Sequence, residues 1–546
     1  MAANPVLYFH PDAYRVARTD LKGRHSAGES LLTAFIAQTP HTDIYALCQN
    51  VDEFREFASI VTESGRPLNA QAVSRLDFAR LHAQGLLYLA DPRVAELARA
   101  RNIYSDTLYA LCGVTHTISS RGVVDAIADL VTAPVMPWDA LIVTSHAVEN
   151  AVTTVLEHAE ERLRQRVGAT RFVRPMLPVI PLGIHTQRFK RNQADRERWR
   201  KELGLDEATI AVLFFGRLSV HAKASPFQLA QAVERAARSG AERYAIIWAG
   251  WFNDDFQKRV FMETARKMAP SVAFHHVDGR QPDARFSIWS AADIFCSLSD
   301  NIQETFGLTV IEAMAAELPV IVSKWDGYRD TVRENVTGIL VDSYMSGASL
   351  ADLAYRYVSG VDSYDQYIGA ISQFCFVDVE QTAQWISQLA RDPHLRRTLA
   401  IAGRHSAEGE FDWTAVLPRY QELWNRQAEM LEQARRDKTT AQQLALDPGR
   451  MFAGYPSNHL EGNSLFARGP HFAYWEEIIR DPGIVIHAAS LPGRTDFLAV
   501  RDRIAAAEAV SLNDLLAAVG PERRHVLLRG VHWMIKIGLL RLVAKQ

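Results

Sequence analysis

Two glutamates, Glu304 and Glu312, flank a glycine turn that leads into a predicted helix. The turn, Phe306-Gly307-Leu308, follows an apolar strand near Cys296, and the first N–H groups of a helix have no partner inside that helix. These N–H groups and the helix dipole favour a bound phosphate. A carboxylate can accept hydrogen bonds from two neighbouring hydroxyls. We therefore assign the turn to a phosphate group, Glu312 to a nucleotide ribose and Glu304 to the hydroxyls of a sugar.

A second loop, 216–223, places two cations after the apolar strand 210–215. Arg217 offers a planar fork of N–H donors and Lys223 a compact charge, a combination that suits a diphosphate. Both cations would neutralise the negative charge that grows on a leaving diphosphate while a glycosidic bond breaks. Taken alone, the two glutamates are better explained as a solvated loop residue, Glu304, and a helix residue that complements the helix dipole, Glu312. The loop 216–223 alone is about as well explained as ordinary solvated surface. Their occurrence together favours a site.

The sequence offers no metal-binding pattern beside these residues. No D-x-D pair follows a strand where a diphosphate-bound ion would be held, and the two cations and the helix start already supply positive charge. We therefore expect a reaction that requires neither a metal nor another cofactor. Contacts to the nucleobase are expected from backbone groups around Asp278, Gly279 and Arg280, where side-chain type matters little.

Short apolar runs separated by helical stretches recur along the chain. They occupy 6–9, 44–47, 86–89, 109–114 and 140–143, and then 210–215, 244–249, 272–274, 294–296, 319–322 and 339–341. Apolar strands that alternate with helices are typical of a parallel sheet with both faces covered. The two series predict an α/β protein with two doubly wound domains. Ligands of such sheets bind beyond the carboxyl ends of the strands, so we expect the site in a cleft between the domains.

The composition is that of an ordinary globular protein. Sixty Lys and Arg against sixty-three Asp and Glu give a net charge of -3, which argues against nucleic acid as a partner. The four cysteines form no CxxC pair or Cys/His cluster, which argues against a disulfide framework and structural zinc. Neither a secretory signal nor an apolar stretch of the roughly 20 residues that span a membrane is visible. We expect a cytoplasmic protein.

The motifs around the two glutamates are similar to those of a known enzyme family. Glu304 and Glu312 match the E-x7-E signature of the retaining glycosyltransferases of family 4, also called glycosyl transferases group 1, within E-x-F-G-L-x-x-x-E-A-M-A. The G-R-L…K loop that contains Arg217 and Lys223 resembles their diphosphate-binding loop. Further similar segments are 139–145, 180–189 and 411–413. The resemblance covers about residues 1–430 and is most specific between 210 and 345.

The resemblance implies the GT-B architecture, in which two Rossmann-like domains face a cleft. It places the donor sugar at Glu304, the ribose at Glu312 and the diphosphate on the backbone amides of Phe306, Gly307 and Leu308. It also implies a histidine of the first domain near the sugar, for which His116 is the best match, although a lone histidine is more often structural. A further glycine loop on the acceptor side corresponds to residues 23–29 and contains Gly23 and Gly28.

Three departures from the family pattern bear on the site. The interval from Arg217 to Lys223 is one residue longer than usual. Glu317 stands where a glycine usually ends the E-A-M-A helix, which predicts a left-handed backbone conformation at a non-glycine residue. The stretch 299–303 contains two additional polar residues, which could alter the choice of sugar.

The domain organisation follows from the apolar series and from a break rich in proline and glycine near 180–205. We predict an acceptor-side domain over 1–185, completed by a crossover helix over 411–436. A nucleotide-sugar-binding domain is predicted over 186–410. Residues 437–546 are predicted to form an irregular linker and a small, mainly helical, winged-helix-like module, in which Ser511 and Asp514 indicate a helix start.

The expected activity is transfer of a sugar from a nucleotide-diphosphate sugar to a glycan, lipid or small-molecule acceptor. The resemblance implies retention of configuration by front-face attack and therefore an α-linked product from an α-linked donor. Neither the base and sugar of the donor nor the acceptor can be identified from the residues. A homodimer and peripheral contact with the inner face of the cell membrane stay open.

Three other interpretations remain at this stage. The same architecture could support phosphorolysis of a glucan with pyridoxal phosphate, although no lysine has a context that indicates it. A degenerate core could serve as a regulatory protein or scaffold whose terminal module binds DNA or a partner through Arg523, Arg524, Arg529, Lys536 and Arg541. Acidic residues of that module largely offset these charges. The basic run 162–174 could contact a membrane, or it could be a helix face balanced by neighbouring glutamates.

Overall fold

The computed structural model describes residues 2–14, 23–223, 225–438 and 447–543. The chain divides into two compact units, Met1–Ala445 and Leu446–Gln546. Two lobes, each built on a parallel sheet, make up the first unit. Among the described residues, no helix combines the length and the apolar character needed to cross a membrane.

The first lobe is a doubly wound domain. Within the described residues its sheet has six parallel strands in the order β3-β2-β1-β4-β5-β6. The strands are β1 (Val6–Tyr8), β2 (Asp43–Leu47), β3 (Asn69–Val73), β4 (Leu86–Leu89), β5 (Ala110–Val114) and β6 (Ala140–Ile142). The helices are α1 (Pro11–Tyr14), α2 (Gly23–Gln38), α3 (Val51–Glu63), α4 (Phe78–Gln84), α5 (Val94–Asn102), α6 (Arg121–Ala128) and α7 (His146–Val167).

Apolar side chains on both faces of the first sheet form two separate cores, as expected for parallel strands covered on both sides. A buried ion pair anchors the far end of this sheet. Arg101 donates to both carboxylate oxygens of Asp139, at 2.7 and 2.9 Å, and the carboxylate also accepts the backbone N–H of Leu111. Because the remaining carboxylate lone pairs find donors, the buried charges are compensated.

The second lobe repeats the same winding. Among the described residues its six parallel strands run in the order β12-β11-β10-β7-β8-β9, which is the order of the first lobe read from the other edge. The strands are β7 (Thr209–Phe215), β8 (Arg243–Ala249), β9 (Ala273–Val277), β10 (Ile294–Ser297), β11 (Val320–Ser323) and β12 (Ile339–Val341). The helices along these strands are α8 (Gln193–Glu202), α9 (Pro226–Ser239), α10 (Asp255–Met268), α11 (Pro282–Ser287), α12 (Leu308–Ala315) and α13 (Tyr328–Thr331).

A segment inserted between β12 and the next long helix, residues 343–377, lies outside the second sheet and is called the excursion. It consists of the two-stranded antiparallel pair β13 (Ser343–Met345) and β14 (Cys375–Val377), with α14 (Ala351–Val358) and α15 (Tyr364–Ser372) between them. The lobe then continues through α16 (Val379–Arg391) and α17 (Pro393–Ser406). The side chains of α16 join the core on one face of the second sheet.

The chain crosses between the lobes twice at one place. Ile184 donates to the carbonyl of Phe411 at 2.8 Å and accepts the N–H of Trp413 at 3.1 Å. At Gly183 a Cβ atom would lie 2.5 Å from the Trp413 ring, so glycine is required for this crossing. After the crossing, α18 (Trp413–Arg436) packs its apolar face onto the first sheet.

The second unit has its own core. Within the described residues, the strands β15 (Leu465–Arg468), β16 (Val510–Ser511) and β17 (Leu540–Leu542) form an antiparallel sheet in the order β16-β15-β17. The helices are α19 (Pro448–Met451), α20 (Trp475–Ile478), α21 (Arg494–Ala506), α22 (Leu512–Leu516) and α23 (Arg524–Lys536). Ser511 caps α22 by accepting the N–H of Asp514, and the cation Arg523 pairs with Asp496. This unit is therefore mainly helical with a small sheet, and its likeness to a winged-helix domain stays a prediction.

These observations confirm the predicted α/β class, with two doubly wound domains and a mainly helical terminal region. Strand β3 was not among the predicted runs because it lies at the sheet edge and alternates polar with apolar residues. Glu317 has a φ of 53°, the left-handed conformation that its position predicts. The basic run is partly neutralised, since Glu160 pairs with both Arg164 and Arg174.

Candidate functional site

A cavity of about 1600 Å³ opens between the two lobes, at the carboxyl ends of strands from both sheets. Eight of the residues predicted from the sequence lie on its wall. They are His116, Arg217, Lys223, Glu304, Phe306, Gly307, Leu308 and Glu312. The volume exceeds the roughly 300–1000 Å³ of a pocket for one small ligand, which leaves room for two substrates.

Lys223 and Glu304 form an ion pair on the cavity wall. The Nζ of Lys223 lies 2.7 Å from Oε2 of Glu304, and the Glu304 side chain is only 11 % exposed. The other oxygen, Oε1, accepts a 3.4 Å hydrogen bond from the backbone N–H of Thr305. A charge-assisted bond in such a sheltered place fixes both side chains more firmly than a surface pair. The two residues that the sequence assigned to the sugar and to the diphosphate are therefore in direct contact.

Arg217 is held by a neutral side chain. Its Nη2 donates to Oε1 of Gln303 at 2.8 Å, and no carboxylate of the described residues lies within 4.0 Å of the guanidinium. Gln303 in turn donates through Nε2 to the hydroxyl of Tyr364 at 3.3 Å. The polar stretch 299–303, noted as a departure from the family pattern, thus positions a cation whose charge is not neutralised by an acid.

The turn before α12 has the geometry that a close backbone approach requires. Gly307 has a φ of 91°, and a Cβ atom there would lie 2.1 Å from the ring of Tyr328. Phe306 is buried against Phe411, with ring centroids 6.2 Å apart. Leu308 and Thr309 stand in the first turn of α12, where backbone N–H groups have no partner inside the helix. This end of the helix lies on the cavity wall and suits an anion.

Glu312 lies one turn further along α12, beside Arg285 from α11. Burial raises the pKa of the Glu312 carboxyl to about 7, and the Arg285 guanidinium opposes part of this rise. Both side chains line the cavity. The carboxyl is therefore divided between its neutral and its ionised form near pH 7, and only the ionised form offers both oxygens as acceptors.

We expect the affinity for a nucleotide sugar to rise between pH 6 and pH 8, because Glu312 must lose its proton to accept two ribose hydroxyls. The diphosphate of a nucleotide sugar is esterified at both ends and does not titrate in this range. A change in affinity measured by calorimetry between pH 6 and pH 8 therefore reports a titrating group of the protein. Glu312→Gln should bind about ten-fold more weakly at pH 8, the loss expected for about 1.4 kcal/mol, and should show little pH dependence. A pH dependence that persists unchanged in Glu312→Gln would contradict this assignment.

The first lobe contributes the opposite wall. His116 follows β5 and lies on the cavity, where the resemblance places a histidine near the sugar. Next to it, the hydroxyl of Thr117 donates to the backbone carbonyl of Gln303 at 3.4 Å. The hydroxyl of Ser119 lies 2.8 Å from that of Tyr364. The loop after β5 therefore contacts the second lobe directly at the site.

The predicted glycine loop on the acceptor side is not a loop. Gly23 is the first residue of α2 and Gly28 lies within this helix. Gly28 is not on the cavity wall that the described residues form. A Cβ atom at Gly28 would stand 1.9 Å from the carbonyl oxygen of Ala13, so this glycine permits close packing of α2 on α1. Ser26, on the neighbouring turn, does line the cavity.

Asp278 and Gly279 follow β9 beside the cavity but not on the wall that the described residues form. Asp278 pairs with Arg280 at 2.7 Å, and this pairing lowers the pKa of the aspartate. A Cβ atom at Gly279 would lie 3.1 Å from the ring of Phe215. The contact of this turn with a nucleobase remains a prediction.

Some residues of the cavity wall were not predicted from the sequence. Tyr328 follows the carboxyl end of β11, and this position could have identified it as a site residue. Arg285 lies inside a short helix and Tyr364 in the excursion after β12, and neither position carries a signal in the sequence. In the described part of the chain, no group of three or more His, Cys, Asp or Glu residues could hold a metal ion.

The second lobe carries a recognisable sequence pattern. Residues 195–372 match the family model described as Glycosyl transferases group 1. D-inositol 3-phosphate glycosyltransferase from Corynebacterium glutamicum is 31 % identical over 159 residues, which are 28 % of this chain and 36 % of that enzyme. The putative glycosyltransferase YtcC of Bacillus subtilis is 29 % identical over 209 residues, 37 % of this chain and 49 % of that protein. The chain thus spans about a third to a half of the length of these relatives.

Two of the solved structures that are similar to this chain align with more than three quarters of it. Anabaena HepE in complex with UDP aligns with a TM-score of 0.48 and 15 % identity, over 77 % of this chain and 99 % of HepE. Sucrose-phosphate synthase from Thermosynechococcus elongatus aligns with a TM-score of 0.46 and 17 % identity, over 78 % of this chain and 98 % of that protein. Arg217, Lys223, Glu304 and Glu312 all lie inside the segment that matches the family model.

Proposed function

We propose that this protein is a retaining glycosyltransferase of family 4, which transfers a sugar from a nucleotide-diphosphate sugar to a hydroxyl of an acceptor. The observation that carries the proposal is the contact of Lys223 with Glu304, 2.7 Å apart, on the cavity wall that also holds Arg217 and the amide end of α12. Two cations and a helix start can grip a diphosphate. A carboxylate in contact with one of those cations can then bind the adjoining sugar.

In this mechanism the protein acts by orientation and charge. The acceptor oxygen attacks the anomeric carbon on the face from which the diphosphate departs, and the bond from that carbon to the phosphate oxygen breaks. The departing phosphate oxygen takes the proton of the acceptor hydroxyl. Arg217 and Lys223 stabilise the charge that grows on the diphosphate. Glu304 orients the sugar hydroxyls and forms no covalent bond, and His116 approaches the sugar from the first lobe.

The donor can be identified by a thermal-shift screen against sugar nucleotides of UDP, GDP, ADP and dTDP, because a ligand that binds only the native state raises its melting temperature. We expect one nucleotide family to raise the Tm and to be slowly hydrolysed in the absence of an acceptor. A screen in which no nucleotide sugar changes the Tm or is hydrolysed would reject the proposal. The acceptor, the oligomeric state and contact with a membrane then follow from assays with the identified donor.

The reaction should proceed without a divalent ion, because Arg217, Lys223 and the amide end of α12 supply the positive charge that a metal would otherwise provide. We expect full activity in the presence of an excess of chelator. The control is a parallel assay with added magnesium or manganese, which should change the rate by less than about two-fold. Activity that is abolished by the chelator and restored only by metal would refute this part of the proposal.

A further inference from the structure

A turn of the second lobe lies directly beneath the loop that carries Glu304. It comprises Asp326 and Gly327, which lie between β11 and α13, and Tyr328, the first residue of α13. A Cβ atom at Gly327 would lie 2.6 Å from the Cα of Phe306 and 2.8 Å from the carbonyl oxygen of Thr305. The ring of Tyr328 fills the space beside Gly307. Any displacement of this turn therefore moves the residues on both sides of the diphosphate position.

Asp326 occupies this turn in a conformation that favours glycine, with a φ of 46°. Its Oδ1 accepts a 3.4 Å hydrogen bond from the hydroxyl of Ser145. Its Oδ2 is buried and has no hydrogen-bond partner among the described residues. An unfavourable backbone conformation and a buried polar atom without a partner are two separate costs at one residue, and such costs concentrate at functional sites.

Ser145 reaches Asp326 from the other lobe. It caps α7 of the first lobe by accepting the N–H of Val148 at 3.2 Å. The same hydroxyl is 3.1 Å from the carbonyl oxygen of Thr305, the residue that follows Glu304. One side chain of the first lobe thus contacts the loop of Glu304 both directly and through Asp326. A separation of the lobes by a few ångströms would break these contacts, because hydrogen bonds require donor–acceptor distances of about 3 Å.

Two charged groups and two hydrogen-bond donors, the Gly327 N–H and the Ser145 hydroxyl, surround the Asp326 carboxyl. Glu304 and Lys223 interact with it electrostatically, with opposite effects, and the N–H of Gly327 bonds to it. Burial and the charge of Glu304 raise the pKa of Asp326 to about 8, while Lys223 and Ser145 oppose the rise. At pH 7 the carboxyl is therefore mostly neutral and does not compete with Glu304 for Lys223. Above pH 8 it becomes a second negative charge beside Glu304.

We propose that Asp326 is a positioning residue, held from the first lobe by Ser145, that keeps Glu304 and Lys223 in place for the donor sugar only when the lobes are closed. This inference rests on the proposed function, because it assigns a role to Asp326 in sugar transfer. It adds that the geometry of the Lys223–Glu304 pair depends on the position of the first lobe, through Ser145 and Asp326. Asp326 touches neither substrate and acts through the Lys223–Glu304 pair.

Two substitutions separate the charge of Asp326 from its shape. Asn tolerates a positive φ and preserves the size of the side chain, whereas Gly adopts the conformation freely and removes the side chain. We expect the kcat of the wild type to fall above pH 8, where Asp326 ionises beside Glu304. We expect Asp326→Asn to keep kcat within about three-fold at pH 7 and to lack this fall. We expect Asp326→Gly to lower kcat about ten-fold with KM for the donor nearly unchanged.

Ser145→Ala tests the link to the first lobe. It should lower kcat at least as much as Asp326→Gly, because it removes the direct contact with Thr305 as well as the contact with Asp326. The double variant should be no slower than the slower single variant, because Ser145→Ala already breaks the connection that Asp326→Gly removes. The matched control is Asp330→Asn. Asp330 also joins the second lobe to the start of α7, where it accepts the N–H of His146 at 2.7 Å, but it does not contact the loop of Glu304. Its kcat and pH profile should be those of the wild type.

The outcomes distinguish this inference from the proposed function. If the wild type is active, two results would overturn the positioning role alone. One is an Asp326→Asn variant whose kcat falls above pH 8 as in the wild type, and the other is an Asp326→Gly variant whose kcat equals that of the wild type. Strictly multiplicative effects of Ser145→Ala and Asp326→Gly overturn the connection between the lobes. A wild type that binds and hydrolyses no nucleotide sugar in the screen overturns the proposed function, and this inference with it.

Discussion

Lys223→Ala should turn over its donor about 100- to 1000-fold more slowly than the wild type, the loss that follows removal of one preorganised group that stabilises transition-state charge. Lys223 is the cation in direct contact with Glu304, so its removal takes away both a diphosphate contact and the partner that fixes the sugar-binding carboxylate. Arg217→Ala should show a loss of the same order. Steady-state kinetics with the identified donor measure both effects.

The control for this prediction is Lys201→Ala. Lys201 is an exposed residue near the end of α8, and its loss should leave kcat unchanged. Nucleotide binding by calorimetry adds a second measurement, because the lysine should stabilise the transition state more than the bound donor. The double variant Arg217→Ala/Lys223→Ala should therefore show a larger defect in kcat than in affinity. Wild-type turnover in the double variant would rule out a diphosphate between these residues.

Gly307→Ala should disrupt both the fold and the donor site. An added methyl group at Gly307 would overlap the buried ring of Tyr328, and the φ of 91° is unfavourable for alanine. Forcing a group into a packed core costs about 1–3 kcal/mol, and a left-handed non-glycine residue adds about 1–2 kcal/mol. We expect the free energy of unfolding to fall by about 3 kcal/mol. A shift of the turn by about 1 Å should lower kcat about 100-fold. It should also weaken nucleotide binding, because the backbone N–H groups at the start of α12 would no longer face the diphosphate.

Urea unfolding and calorimetry separate the two effects of this substitution. Gly347→Ala is the matched control, because a Cβ atom at Gly347 meets no atom within 4 Å and its φ is not in the left-handed region. It should change neither the stability nor the affinity. If Gly307→Ala were as stable as the wild type and bound nucleotide as tightly, the turn before α12 could not be the diphosphate site.

Much of the fold was predictable because the strands of parallel sheets are buried on both faces and are therefore apolar runs. The runs 86–89 and 339–341 coincide with strands β4 and β12. The edge strand β3 was missed for the converse reason, since an edge strand is partly exposed and needs no continuous apolar sequence. A break between the domains was predicted near 180–205 from proline and glycine, but Gly183 is buried and packs on Trp413. Trp413 lies too far along the chain for local patterns to indicate this contact.

The site was predictable where chemistry and position coincide, at strand ends followed by glycine, cations or carboxylates. Lys223 and Glu304 were identified in this way, although their contact was not. The expected loop conformation at 23–29 was wrong, because these residues already belong to α2, where Gly28 packs on Ala13. Their contact with an acceptor stays a prediction. The contacts of Ser145 and Tyr364 could not be predicted, because they form across lobes or come from the excursion after β12.

The position of α18 imposes an order on the folding of the nascent chain. This helix covers one face of the first sheet, yet the ribosome makes it only after the entire second lobe. The second lobe is continuous in sequence, so it can complete its core while the first lobe still exposes the apolar surface that α18 will occupy. Side chains such as Phe35 and Tyr88, which pack against Trp424, stay uncovered during this interval. A truncated protein that ends near Gly183 would lack α18. Its first lobe would keep this apolar surface exposed and would be prone to aggregate.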